Sequence, residues 1–345
     1  MKRNIFTTCT IATILLASCN ADNKNAYTVN VPLTSEENGL TAYIIDYDNG
    51  TKVDSAIVEN GVATFNGDCL ESILARIIID GNRYTTFILE PGNIQINDST
   101  RQASGSVLND EMEMLFEQTN SLRNKLMAIS EDDTTAQLAI INEYNSLMDR
   151  TMAENMDNPI GYNLFLQKAY DMSLDSLVVA MERHPNLMKS ERLNKLVESM
   201  KCKEMTSPGN MFKDFEITYD GKTQKLSDYV GKGQYVLVDF WASWCGPCIR
   251  ETKTIKEIKN KWEDKGLKIL GVAVWDEPEN TLQAIETHQL PWEQIINAQQ
   301  IPTDIYGISG IPCIILFAPD GTILVRDKYG KDLMDAVDNA MGSKK

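Results

Sequence analysis

Cys245 and Cys248 stand three apart in the run Trp244-Cys245-Gly246-Pro247-Cys248, a spacing that brings two sulfurs within bonding reach. The pair follows an apolar stretch at 235–240 and opens a segment of helical character, so it should sit at a helix N-terminus. Unpaired N–H donors and the positive end of the helix dipole favour thiolate there, and thiolate is the nucleophile of disulfide exchange. Pro247 suits a first helical turn, where its missing N–H is not needed. Half of a zinc site has the same C-x-x-C spacing, but no second pair and no paired His is present to complete it. We therefore expect no metal, and no cofactor beyond the redox-active disulfide of Cys245 and Cys248. Asp239 interrupts an otherwise apolar strand that should be buried on both faces. A buried carboxyl has a raised pKa and can exchange protons near neutral pH.

The elements that must carry these groups lie in 206–345, where strand and helix signals alternate. Strands are expected at 215–218, 235–240, 268–274, 313–317 and 323–327, and helices at 247–263, 279–288 and 331–341. Such alternation predicts an α/β unit with a mixed central sheet flanked by helices. The turn Pro319-Asp320-Gly321 should pair the last two strands antiparallel.

Upstream the texture differs. Short runs rich in β-branched and aromatic residues (42–47, 56–58, 62–65, 75–80, 85–89, 94–96) are separated by turn signals such as Asn60-Gly61 and Pro91-Gly92. They predict a small all-β sandwich or barrel within 19–104, behind a polar tether. From 105 to 205 helical spacing takes over, broken at Asn158-Pro159, and this stretch is expected to be a helical connector. Most of its Met residues suit gap-filling between helices better than a copper site.

A chain of 345 residues should form two or three folded units. Its net charge of -16, with the acidic excess mainly upstream of 205, argues against a nucleic-acid partner. The seven cysteines are too sparse for a disulfide scaffold in a chain of this size.

At the start, Lys2 and Arg3 precede a short apolar stretch ending in Leu16-Ala17-Ser18-Cys19. The ending resembles the lipobox of bacterial lipoproteins. That resemblance implies a signal peptide over 1–18, lipidation of Cys19, and attachment to the bilayer in the cell envelope, facing the periplasm. An ordinary secretory signal is the alternative. No further apolar stretch is long enough to cross a membrane.

The sequence Trp-Cys-Gly-Pro-Cys after Val238-Asp239-Phe240-Trp241-Ala242 resembles the thioredoxin superfamily over 211–345. Gly310-Ile311-Pro312 resembles the loop in which thioredoxins place a cis-proline opposite the cysteines. The long segment 275–309 is similar to the insertion of TlpA- and ResA-like envelope proteins, and Glu251 matches the glutamate of their C-x-x-C-x-x-E pattern. The β-rich lead-in resembles that of Bacteroidota lipoproteins of this type. The resemblance implies that Cys245 attacks a substrate disulfide, Cys248 resolves the adduct, and Asp239 or Glu251 handles protons. Substrate contacts would come from Trp244, Gly246, Pro247, Ile311 and Pro312. It further implies protein disulfides as substrates, a membrane thiol carrier as reductant, and a reductase role such as cytochrome c maturation.

Two positions depart from the family. Lys253 stands where most relatives have a helix-kinking Pro, and Cys313 stands where Thr is usual, which leaves a third redox thiol open. A solvated helix surface is the plain alternative for Glu251. Two other functions compete. A thiol peroxidase shares the 275–309 insertion, but Val238 and Ala242 stand where its P-x-x-x-T-x-x-C pattern has Pro and Thr. A lipid-anchored binding protein on a redox scaffold is disfavoured by the intact cysteine pair.

Overall fold

A computed structural model of the chain describes residues 24–342, so the leader and Cys19 lie outside the described residues. The polypeptide divides into two compact units, one ending at Gln167 and the other beginning at Lys168.

In the first unit, β1 (Ala26–Pro32), β2 (Thr41–Asp46), β3 (Lys52–Ile57), β4 (Val62–Asp68), β5 (Ile73–Ile79), β6 (Asn82–Leu89), β7 (Gly92–Ile96) and β8 (Ala103–Ser104) form two sheets. Their strand orders are β4-β1-β7-β8 and β3-β2-β5-β6. Alternation along β1 turns Tyr27, Val29 and Val31 inward, where they meet Ile44, Ile77 and Phe87 of the other sheet in one shared core. Two sheets around one core make this the sandwich, not the barrel, of the two all-β forms expected. Asp80 and Gly81, both at positive φ, make the tight turn between β5 and β6. The Asn60-Gly61 turn also forms, yet its flanking strands β3 and β4 join different sheets. The strand β1 was not among the expected runs, and it pairs parallel with the distant β7.

The helical stretch 105–205 is shared between the two units. Helices α1 (Val107–Met127), α2 (Thr134–Glu154) and α3 (Pro159–Ala169) place Leu115, Leu122, Leu147 and Ile160 against Leu74 and Ile88 of the first unit. Glu90 accepts the free N–H groups of Leu108 (2.8 Å) and Asn109 (3.1 Å), setting a negative charge at the start of α1. Helices α4 (Leu174–Arg183), α5 (Pro185–Met188) and α6 (Glu191–Met205) belong to the second unit.

There β9 (Glu216–Tyr219) and β10 (Lys222–Lys225) form a separate hairpin. The expected strand at 215–218 is therefore not part of the main sheet. That sheet runs β13-β12-β11-β14-β15, from β11 (Tyr235–Trp241), β12 (Leu267–Ala273), β13 (Glu293–Ile295), β14 (Cys313–Phe317) and β15 (Ile323–Arg326). Parallel pairs β11–β12 and β12–β13 join antiparallel pairs β11–β14 and β14–β15, giving the expected mixed sheet. Apolar cores cover both faces, with Phe240 and Tyr306 on one and Leu237 and Trp241 on the other. Helices α7 (Gly246–Trp262), α8 (Pro278–Thr287), α9 (Ile301–Tyr306) and α10 (Gly330–Gly342) complete the unit. Helix α7 runs unbroken through Lys253.

Helix α6 packs tightly on the end of α9. Gly307 lies at φ 58, and a Cβ there would stand 2.1 Å from the Ser199 carbonyl oxygen, so no other residue fits. No described helix is long and apolar enough to cross a membrane.

Candidate active site

Cys245 caps the N-terminus of α7, with Pro247 in the first turn. The two cysteines form a disulfide, and the Cys248 N–H donates to the Cys245 sulfur at 3.1 Å. That contact puts one of the helix's unpaired donors on the sulfur that would carry charge after reduction. Cys245 is only 3% exposed, so it does not stand open at the mouth of the turn. The Ile311 carbonyl oxygen lies 3.7 Å from its sulfur and helps to cover it. Exposure falls instead on its neighbours Trp244 (62%), Gly246 and Pro247.

The Ile311–Pro312 bond is cis, and this loop lies against Cys245 through the Ile311 carbonyl. Pro247, Glu251, Ile311, Pro312, Tyr329 and Lys203 line a cleft of about 620 Å³ at this point. Trp244 closes the other side of the pair, its indole N–H donating to the Trp275 carbonyl at 2.8 Å.

Asp239 is 2% exposed on the central strand, and its Oδ1 has no hydrogen-bond partner. Burial, helped by the nearby charge of Glu251, pushes its carboxyl up to about 8. Glu251 itself is half-buried, one turn past Cys248, where its Oε1 accepts the Gly330 N–H at 2.7 Å. It is thus a fixed wall of the cleft rather than a freely solvated surface residue.

The side chain of Cys313 lies on the other face of the sheet from the pair, although the residue lines the same cleft. Alternation along β14 sends Cys313, Ile315 and Phe317 into the core with Phe240 and Tyr306, whereas Ile314 and Leu316 share the core of Cys245 and Cys248. Its thiol donates to Asp327 Oδ1 at 3.2 Å, and burial, then the Asp327 charge, raises its pKa well above that of an ordinary thiol. Those features suit an inert buried cysteine, not a third exchanging thiol. Cys69 and Cys202 are free thiols.

Several positioning groups were not found by reading the sequence. Asp276, 5% exposed, accepts from the Ser243 N–H (2.7 Å), the Ser243 hydroxyl (2.9 Å) and the Thr281 hydroxyl (2.8 Å), and so holds the loop entering the pair. Asp327, Tyr329 and Gly330 reach the site from the turn after β15. A Gly at the start of a helix was the one local hint. Among the described residues no group of three or more His, Cys, Asp or Glu is arranged to hold a metal ion.

Two family models match the chain. One is the AhpC/TSA family, over residues 208–326, and the other is a domain of unknown function, DUF4369, over residues 27–112. A thiol–disulfide oxidoreductase ResA of Geobacillus thermodenitrificans is 30% identical over 122 residues, covering 35% of this chain and 69% of that protein. The ResA of Geobacillus kaustophilus matches to the same extent. Among solved structures, the thioredoxin domain of a thiol–disulfide oxidoreductase from Bacteroides vulgatus is 33% identical. It covers 39% of this chain and 98% of that domain, with a TM-score of 0.36. A thiol–disulfide oxidoreductase from Bacteroides fragilis is 26% identical over 38% of this chain and 99% of its own, with a TM-score of 0.35.

Proposed function

This chain belongs to the ResA-like thiol–disulfide oxidoreductases, and from that membership we propose that it reduces protein disulfides in the cell envelope. The observation that carries the reading is the buried Asp239 carboxyl, with a pKa near 8, on the strand that leads into a disulfide of Cys245 and Cys248 at a helix N-terminus. A proton acceptor tuned close to neutral pH is what two-step thiol exchange requires.

In the reduced enzyme, the Cys245 thiolate attacks one sulfur of a substrate disulfide. A mixed disulfide forms, and the first substrate sulfur leaves as a thiolate that takes up a proton. Cys248 then loses its proton to Asp239, with Glu251 biasing the charge on that carboxyl, and attacks the Cys245 sulfur. The second substrate sulfur departs as a thiolate that takes the proton held by Asp239, and the enzyme's own disulfide is left behind. Two electrons pass from enzyme to substrate, so a reductant must recharge the pair; a membrane thiol carrier has the right chemistry. No cofactor beyond the cysteine pair takes part.

The substrate would lie against Trp244, Gly246 and Pro247, and pair in extended form with the backbone at Ile311 and Pro312. Lipidation of Cys19 would keep the enzyme at the bilayer, where the disulfide of an apocytochrome awaiting haem is one suitable substrate. The match to the AhpC/TSA family supports a second reading, a thiol peroxidase. Against it stand Val238 and Ala242, in the places of that pattern's Pro and Thr.

Equilibration against glutathione tests the direction of exchange. A Gly-Pro dipeptide between the cysteines should place the potential nearer thioredoxin, about -270 mV, than the strong oxidants at about -120 mV. A value at the oxidising end would make the protein a disulfide donor. Rapid consumption of hydrogen peroxide by the reduced protein would favour the peroxidase instead.

A further inference from the structure

The turn that follows β15 touches the active centre at three separate points within four residues. Asp327, at φ 57, accepts the Cys313 thiol at 3.2 Å. The Tyr329 hydroxyl donates to the Pro312 carbonyl at 2.9 Å, and the Gly330 N–H donates to Glu251 at 2.7 Å. The cis-proline loop and the first turns of α7 are therefore bridged by one short segment.

That segment is itself anchored. Arg326, 8% exposed, sends its guanidinium to the Thr206 carbonyl (3.2 Å), the Thr206 hydroxyl and the Tyr306 carbonyl (2.6 Å). Lys203 of α6 pairs with Asp327 at 3.2 Å, and Arg326 approaches the same carboxylate oxygen at 3.5 Å. Burial alone would raise the Asp327 pKa. The Cys313 thiol and the charges of Arg326 and Lys203 outweigh it and keep the carboxylate ionised.

We infer that the turn from Arg326 to Gly330 is a clamp that holds the cis-proline loop in register with Cys245, with Tyr329 as its positioning residue for substrate docking. Tyr329 is 42% exposed, so its ring is not held by a core. An exposed side chain laid across a cleft keeps one rotamer only if a specific bond rewards it. That bond goes to Pro312, whose carbonyl follows directly on the Ile311 carbonyl beside the Cys245 sulfur. Fixing one peptide fixes the next, and a preformed edge spares an incoming strand the entropy of ordering it. Asp327 supports the same loop one residue further on, through Cys313. The docking part of this inference rests on the reductase reading above.

The test is Tyr329→Phe in the full chain, which removes the hydroxyl and little else. Amide hydrogen exchange over 309–313 should quicken about three- to tenfold, the equivalent of one neutral hydrogen bond, while β11 and β12 keep their rates. With insulin as the disulfide substrate, KM should rise about three- to tenfold and kcat should stay within about twofold. Reduction of the small probe 5,5′-dithiobis(2-nitrobenzoate), which needs no strand pairing, should be unchanged. Asp327→Asn should loosen the same segment from the Cys313 side. Unchanged exchange in Tyr329→Phe overturns the clamp. Faster exchange with an unaltered KM overturns the docking role, as does an equal loss of activity on both probes. Faster exchange in Tyr329→Phe beside a wild-type chain that cannot reduce insulin upholds the clamp and counts against the reductase reading.

Discussion

The charge of Glu251, on α7, adds to burial in raising the pKa of Asp239, on β11, so a carboxylate on one element tunes the proton affinity of a carboxyl on another. Removing the outer charge should relax the inner group. In Glu251→Gln, the pH dependence of Cys248-driven resolution of a preformed mixed disulfide should move to lower pH, and Asp239→Asn should abolish that limb. Stopped-flow rates from about pH 6 to pH 9 would show both, since a general base acts in its ionised form. Superimposable profiles for all three proteins would dismiss the proton-transfer role.

The same carboxyl makes a stability prediction whose sign is fixed. Its folded pKa lies above the unfolded value of 3.8, so the native state holds the proton more tightly than the unfolded chain does. The folded protein therefore loses stability as pH rises from about 4 to about 8, and the full penalty applies above that window. Asp239→Asn should raise the urea midpoint of the oxidised protein near pH 9 and have little effect near pH 4. A variant equally destabilised at both values would contradict this.

The sulfur assignment can be checked by trapping. Cys248→Ser should leave Cys245 able to attack but unable to be resolved, so mixed disulfides accumulate on it. Because Cys313 packs into the opposite core, it should not rescue turnover, and Cys313→Thr should leave the yield of adduct unchanged. Adducts mapped by mass spectrometry to Cys248 in Cys245→Ser would reverse the assignment.

Lipid attachment is read from the mature N-terminus. Native protein from membranes should begin at an acylated Cys19, and Cys19→Ser should release it to the soluble fraction. A soluble, unmodified wild-type product would end the anchoring proposal.

Gly307→Ala should cost about 2–4 kcal/mol in urea unfolding, because a methyl group would collide with the Ser199 carbonyl and the backbone sits at positive φ. A near-neutral result would mean that α6 and α9 separate easily.

What could be read from the sequence was what is local. The cysteine pair, its helix start, the cis-proline motif and the lone acid in an apolar strand each lie within a few adjacent residues. Helical spacing shows which face of a helix is apolar, but not what covers it; hence a stretch that reads as one connector is divided between two compact units, with α1–α3 packed on Leu74 and Ile88. The parallel pairing of β1 with β7 joins segments more than sixty residues apart. Tyr329 and Asp327 were missed for the same reason, since their partners at 312 and 313 come close only once β14 and β15 pair. The covering of Cys245 depends on a carbonyl 66 positions downstream, which no reading of its own turn would reveal.

Arg326 has a bearing on where the catalytic module begins. The recognisable family region starts at 208, two residues beyond Thr206, which supplies two of the acceptors for that buried guanidinium. A fragment cut at the recognisable border would keep the arginine and discard those acceptors, along with Lys203, the cationic partner of Asp327. Stranded buried donors cost about 1–3 kcal/mol each, a large share of a domain's net stability. The portable unit is accordingly longer than the inherited signature that identifies it. Grafting this chemistry onto another carrier means bringing α6 as well, so the helix counts as part of the enzyme and not of its stalk.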